Sequence, residues 1–223
     1  EEELKSLHQK QEVAFSKMFE AATKLHNQRQ EVQEKLCRNI EASLKSMSIP
    51  YANIALMVQF RGKGDQAEQF DEFGADEVWF EISLNKGEER KPLADIASGG
   101  EISRVMLAFK SVMSEWSSMP VMVFDEIDSG ISGSVSEQVG RVMRSISDRV
   151  QILAITHQPQ IASQADHHYK VQKKEVNERT SSAIERLDEE RHVREVAALM
   201  SGKEITENTL ISAKELIHAA RSA

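Results

Sequence analysis

The chain opens with a helical pattern. Residues 1 to about 47 contain neither Pro nor Gly and are dense in Glu, Lys, Gln, Leu and Ala, the composition of one long helix. Leu4, Gln11, Met18, Leu25 and Val32 recur every seven residues, with Leu7, Ala14 and Ala21 on the interleaved positions. That is a coiled-coil seam whose partner is not in the chain. The second set fails at Gln28 and Lys35, while Leu36, Ile40, Leu44 and Met47 continue at helical spacing. The apolar face therefore changes, and the helix is expected to leave a coiled coil and dock on a globular body. The division this predicts is 1–47 for the coiled-coil helix and its exit, and 48–223 for one lobe.

Beyond Pro50 the period drops to two. Ile54, Leu56, Val58 and Phe60 alternate with more polar neighbours, as do Val78, Phe80, Ile82 and Leu84, which predicts an antiparallel hairpin with a mobile tip in the charged stretch 61–75. A helical pattern through Val105, Leu107, Ala108, Val112 and Met113 precedes Val121–Phe124, four apolar residues that run straight into Asp125 and Glu126. This reads as a strand buried on both faces in a mostly parallel sheet, ending in acid. Ser134–Ile146 reads as a helix and Val150–Ile155 as another buried strand, closed by Thr156 and His157. The remainder predicts a short helix from Gln158, a strand over 166–171, a polar connector over 175–181, a strand over 182–187, and helices over 190–200 and 207–220 that cover the sheet. The fold class is α/β.

Composition narrows the partners. A formal charge of -8 argues against a general phosphate-backbone binder, and the basic clusters at Lys170, Lys173 and Lys174 or at Arg61 and Lys63 read as solvated surface. No apolar run is long enough for a bilayer, and Glu1–Glu3 are the opposite of a signal peptide's basic start, so no membrane is expected. A single cysteine, Cys37, gives no disulfide framework and fits a reducing, cytoplasmic setting. Asp166, His167 and His168 do not predict a metal, because neighbouring strand side chains point to opposite faces.

Three spots carry candidate chemistry. Ser98, Gly99 and Gly100 precede a helix, where two glycines let backbone N–H groups approach an anion and the helix dipole points at the same place. Glu101 also stands where it would complete a capping box with Ser98. Asp125 and Glu126 lie at the carboxyl end of a strand, where ligands of parallel sheets collect, and His157 ends the next strand on the same side. Gly62-Lys63-Gly64 is not a P-loop: Met57 occupies the first glycine position and Gly64 the hydroxyl position.

This order of loop, helix, acidic strand, helix and strand-plus-histidine resembles the carboxyl-terminal lobe of ABC-type ATPase heads. Ser98-Gly99-Gly100-Glu101 matches the signature motif, Phe124-Asp125-Glu126 the end of Walker B, Asp128 the D-loop and His157 the switch histidine, while Ala97 departs from the common Leu. Over residues 98–110, 125–133 and 156–162 the wording is similar to bacterial SMC-like ATPases of DNA double-strand-break repair. The resemblance implies a P-loop NTPase-like, mostly parallel sheet flanked by helices, with ATP and Mg²⁺ as cofactors. It implies Asp125 for the metal, Glu126 as general base and His157 at the γ-phosphate. It further implies that Ser98, Gly99 and Gly100, with Glu101, hold the γ-phosphate of a nucleotide on the opposite head of a head-to-head homodimer, and that Asp128 couples the two sites. Walker A and the Gln loop would lie in an amino-terminal half, DNA would be met through the full-length protein, and this stretch alone is expected to be inactive. A transporter-type ATPase subunit and a structural coiled-coil dimerisation piece are the alternatives; the heptads leading into the lobe weigh against the first.

Overall fold

The computed structural model describes residues 1–222 except 63–66, 97–98, 117–118, 126, 177–178 and 203. The chain divides into two units, one of residues 1–45 with 49–97 and the other of residues 46–48 with 98–223.

In the first unit α1 (Glu2–Ser46) meets the hairpin of β1 (Asn53–Phe60) and β2 (Asp76–Ser83), whose register pairs Asn53 with Ser83 and Phe60 with Asp76. A short β3 (Lys91–Pro92) adds to β2. Of the seam expected along α1, Leu4, Leu7 and Val32 are exposed, while Met18 and Leu25 are half-buried. Ala22, Cys37, Ile40 and Leu44 are buried instead, and burial pushes the Cys37 thiol up from its ordinary range. Polar side chains dock the helix on the hairpin. Gln33 Nε2 donates to the Leu56 carbonyl, Glu41 accepts from Ile54 N at 2.8 Å, and Arg29 and His26 both reach Asp76. Phe15 meets Phe70, and Phe19 meets Phe60, with edge-on centroids at 5.8 and 5.9 Å. The expected hairpin is present; part of its tip, residues 63–66, lies outside the described residues.

In the second unit α2 (Gly99–Met113) buries Val105, Leu107, Ala108 and Val112, and Lys110 lies over the Phe124 ring at 4.9 Å. β4 (Val121–Phe124) pairs in parallel with β5 (Gln151–Ala154), and the crossover between them is α3 (Ser134–Ser147), which buries Val139, Met143 and Ile146. Gly140 of α3 leaves no room beside α4 (Pro159–Ala162): a Cβ there would lie 3.2 Å from the Gln160 carbonyl oxygen. β6 (Tyr169–Val176) and β7 (Arg179–Arg186) form a separate antiparallel hairpin. α5 (Glu189–Ser201), capped by Asp188, and α6 (Glu207–Ser222) close the chain.

Three expectations are corrected. β4 and β5 are not buried on both faces: Met122 and Phe124 point inward, while Val123 is 55% exposed beside Leu153 at 51%. Apolar residues on both faces record a surface built to be covered, and the described residues of this chain leave one face open. Residues expected as a polar connector at 175–181 belong largely to β6 and β7, because a run of polar residues shows no apolar alternation to mark a strand. α5 and α6 were expected over the sheet; their core is Ala162, Val196, Ala197, Ala213 and Ile217, which joins them to α4.

Under α5 the His192 ring is 5% exposed and stands edge-on to His168, centroids 4.9 Å apart. Burial, the neighbouring His168 and Arg221 hold the His192 imidazole down to about 4, against a weaker pull from Glu189. Burial likewise lowers His168, opposed by Glu195 and helped by Lys170. The unfolded chain therefore takes protons between its ordinary imidazole value and about pH 4 while the folded chain does not, so stability falls as pH falls through that window. The expected loss is on the order of 2 kcal/mol from His192. Urea midpoints between pH 7 and 4 should show it, and His192→Gln should flatten the slope; an equal slope in that variant would refute the assignment.

Candidate functional site

Three chain segments of the second unit converge at the carboxyl ends of β4 and β5. Ile155 N donates to the Phe124 carbonyl at 2.9 Å, which holds the two strand ends level as they leave the sheet. The chain after β4 then turns back through Ile127 and Asp128, both buried, and passes directly over the start of α2. A Cβ on Gly100 would sit 2.7 Å from the Ser129 carbonyl oxygen, closer than real Cβ atoms approach anything, so only glycine lets the helix start under this turn. Gly130 and Gly133 continue the turn at φ 71° and 57°, the left-handed region that favours glycine.

The turn is tied to the end of β5 by one carboxylate. Asp128 is 3% exposed, and its Oδ2 accepts from the Thr156 hydroxyl at 2.5 Å and from His157 N at 2.8 Å. The same oxygen lies 3.0 Å from His157 Nδ1. Thr156 Oγ1 in turn accepts from Gln158 N at 3.0 Å, and Gln158 Nε2 donates to the Ile131 carbonyl at 3.1 Å and contacts His157 Nε2 at 3.2 Å. The His157 side chain is otherwise 72% exposed. The result is a histidine with a hydrogen-bond partner at Nε2, a carboxylate near Nδ1, and a side chain open to solvent.

Of the residues singled out by sequence, Gly100, Asp128 and His157 come together through these contacts, with Gly99 opening α2 beside them. Glu101 is half-buried in the first turn of α2, and Asp125 is exposed immediately after β4. Ser98 and Glu126 lie outside the described residues. Asp128 faces inward, toward Thr156 and His157 of its own chain. Thr156 and Gln158 are the members of the network that sequence reading passed over; their only signal was adjacency to His157. An exposed carboxylate at a strand end suits a hard cation, and the start of an α-helix suits an anion. Among the described residues Asp125 would offer an oxygen to Mg²⁺ and the first turn of α2 its backbone N–H groups to a phosphate, while the Ser129 carbonyl fills the space a side chain on residue 100 would need.

No protein-family profile matches the chain. A protein named DNA repair protein RecN from Halalkalibacterium halodurans is 36% identical over 222 residues, which cover 100% of this chain and 39% of that relative. The chain thus spans about two-fifths of the length of that curated relative. Among solved structures, the Smc head domain with a coiled coil and joint from Pyrococcus yayanosii superposes with a TM-score of 0.60 at 20% identity, over 91% of this chain and 36% of that one. A second, from work on ATP-driven dimerization and DNA-stimulated activation of SMC ATPases, gives a TM-score of 0.52 at 18% identity, over 80% of this chain and 99% of that one. Sequence kinship along the whole chain and structural likeness agree: the chain belongs to the RecN family and has the fold of an SMC head.

Proposed function

We propose that this chain is the carboxyl-terminal part of an SMC-like ATPase acting in DNA double-strand-break repair, and that it supplies one half of a split ATP site. The relative named above is called a DNA repair protein, and the match runs along the whole of this chain and 39% of that relative. The observation that carries the reading is the contact series from Gly100 through Ser129 and Asp128 to His157, which lines a helix start, an acidic strand end and a histidine along one sheet edge.

Each residue has a place in this reaction. Asp125 is an oxygen ligand for Mg²⁺, directly or through water. Glu126 accepts a proton from the attacking water, and His157 contacts the γ-phosphate. Ser98 and the backbone N–H groups of Gly99 and Gly100, with Glu101 in the first turn, face the γ-phosphate of a nucleotide on the opposite head of a homodimer. Mg²⁺, when bound, would neutralise charge on the phosphates; the chain contributes orientation and proton transfer. Walker A and the Gln loop belong to the amino-terminal half of the same protein, whose sheet also covers the bare face of Val123 and Leu153. DNA is engaged by the full-length protein, in the bacterial cytoplasm.

The test is to express that amino-terminal half separately and mix it with this chain. ATP hydrolysis should be absent from this chain alone and appear in the mixture. Hydrolysis by this chain alone, or none in a mixture shown to associate, would defeat the reading.

A further inference from the structure

We propose that Asp128 and Gln158 are positioning residues that hold His157 as the neutral tautomer protonated at Nδ1, so that Gln158 latches the nitrogen a phosphate would need. One hydrogen bond and one charge lead to this. Asp128 Oδ2 accepts from the Thr156 hydroxyl and from His157 N, and the same oxygen lies 3.0 Å from Nδ1, where a carboxylate with only lone pairs to offer favours a proton on that nitrogen. Gln158 Nε2 has two hydrogens and no lone pair. One goes to the Ile131 carbonyl at 3.1 Å, and the other points along the 3.2 Å contact to His157 Nε2, which must therefore be the unprotonated acceptor. Turning the amide over would set its oxygen against the Ile131 carbonyl, so the two assignments support each other.

The consequence rests on the reading of His157 as the γ-phosphate residue; the tautomer assignment does not. A phosphate oxygen is an acceptor, and Nε2 in the latched tautomer is an acceptor too. To grip phosphate through Nε2, His157 takes one proton from solvent onto that nitrogen, the imidazolium is balanced by Asp128, and Gln158 swings away because its N–H now opposes another N–H. Loss of the phosphate returns the proton to solvent and restores the latch. Asp128 thus acts inside its own chain, through His157.

Nitrogen NMR of the imidazoles in this chain, without nucleotide and above the ordinary imidazole range, tests the assignment directly. His157, identified by the signal missing from His157→Gln, should show a protonated Nδ1 and an unprotonated Nε2. Asp128→Ala, which removes the acceptor, should shift the proton toward Nε2, and Gln158→Leu, which keeps the bulk, should leave it on Nδ1. A wild-type Nε2–H, or an Asp128→Ala variant with the proton unmoved, would overturn the proposal; should that variant not fold, the wild-type and Gln158→Leu signals decide. In the reconstituted two-half enzyme Gln158→Leu should lower KM for ATP about fivefold, the worth of one lost hydrogen bond, with kcat held. An unchanged KM would leave no latch. Full hydrolysis by His157→Ala would defeat the functional reading while the nitrogen signals still settle the tautomer.

Discussion

Glu126→Gln should lower kcat for ATP hydrolysis by the two associated halves by about two to four orders of magnitude, the usual worth of a positioned general base. The swap keeps the size of the side chain and its carbonyl oxygen but removes the basic lone pair, so the attacking water loses its proton acceptor without losing its place. Asp125, one residue closer to β4 and exposed there, is untouched, and metal and nucleotide binding should be kept. The variant should therefore change kcat and spare KM, the pattern of an interaction made in the transition state. Single-turnover hydrolysis beside equilibrium nucleotide binding separates the two. An undiminished rate would remove Glu126 as the base; a raised KM with kcat intact would place it among the binding groups.

Sequence patterning reached most of the elements for a physical reason: each had its own periodicity. Ile54 to Phe60 and Val78 to Ile82 alternate, with Ile54, Leu56 and Ile82 buried on one face of the β1–β2 hairpin though Val78 is exposed, and Val105 to Val112 recur at helical spacing because α2 buries one stripe. The order of acid and histidine after successive strands was equally visible, since both strand ends fall on the same side of a parallel pair. Exposure was not legible, because an apolar run states what a strand is built to bury and not whether the covering layer is present; Val121, Val123, Leu153 and Ile155 are exposed for that reason. The inner ends of β6 and β7, beyond the strands expected over 166–171 and 182–187, escaped because polar strands carry no alternation. The network around His157 was illegible in a different way: Asp128 and Thr156 are 28 positions apart, and only the fold brings a carboxylate and a hydroxyl of that separation to 2.5 Å.

Asp76→Ala should destabilise the first unit by about 3–5 kcal/mol, the usual cost of removing one partner from a buried ionic cluster. The Asp76 side chain is fully buried, and its two oxygens are divided between His26 Nδ1 at 2.6 Å and Arg29 Nη1 at 2.8 Å. Arg29 spends a second nitrogen on the Phe73 carbonyl at 2.8 Å, across a turn where Gly74 takes φ 103° and a Cβ would press on Leu25 at 3.1 Å. One carboxylate thus pins α1 to the turn that opens β2, opposite Phe60 and its aromatic neighbours. Removing it leaves a guanidinium without its counter-charge in a place where packing holds it fast. Arg29 keeps 27% exposure, so partial hydration draws the loss toward the lower end of the range. Asp76→Asn should cost less, because an amide oxygen still accepts from Arg29 while its N–H₂ meets His26. Urea unfolding followed through Trp79 of β2, in a Trp116→Phe background, reads this unit directly. A midpoint unmoved by Asp76→Ala would mean that the aromatic contacts of Phe15, Phe19, Phe60 and Phe70 hold the helix to the hairpin without it. A loss of the expected size would identify residues 26–29 as the polar clamp that completes the docking of α1 begun by Phe15 and Phe19.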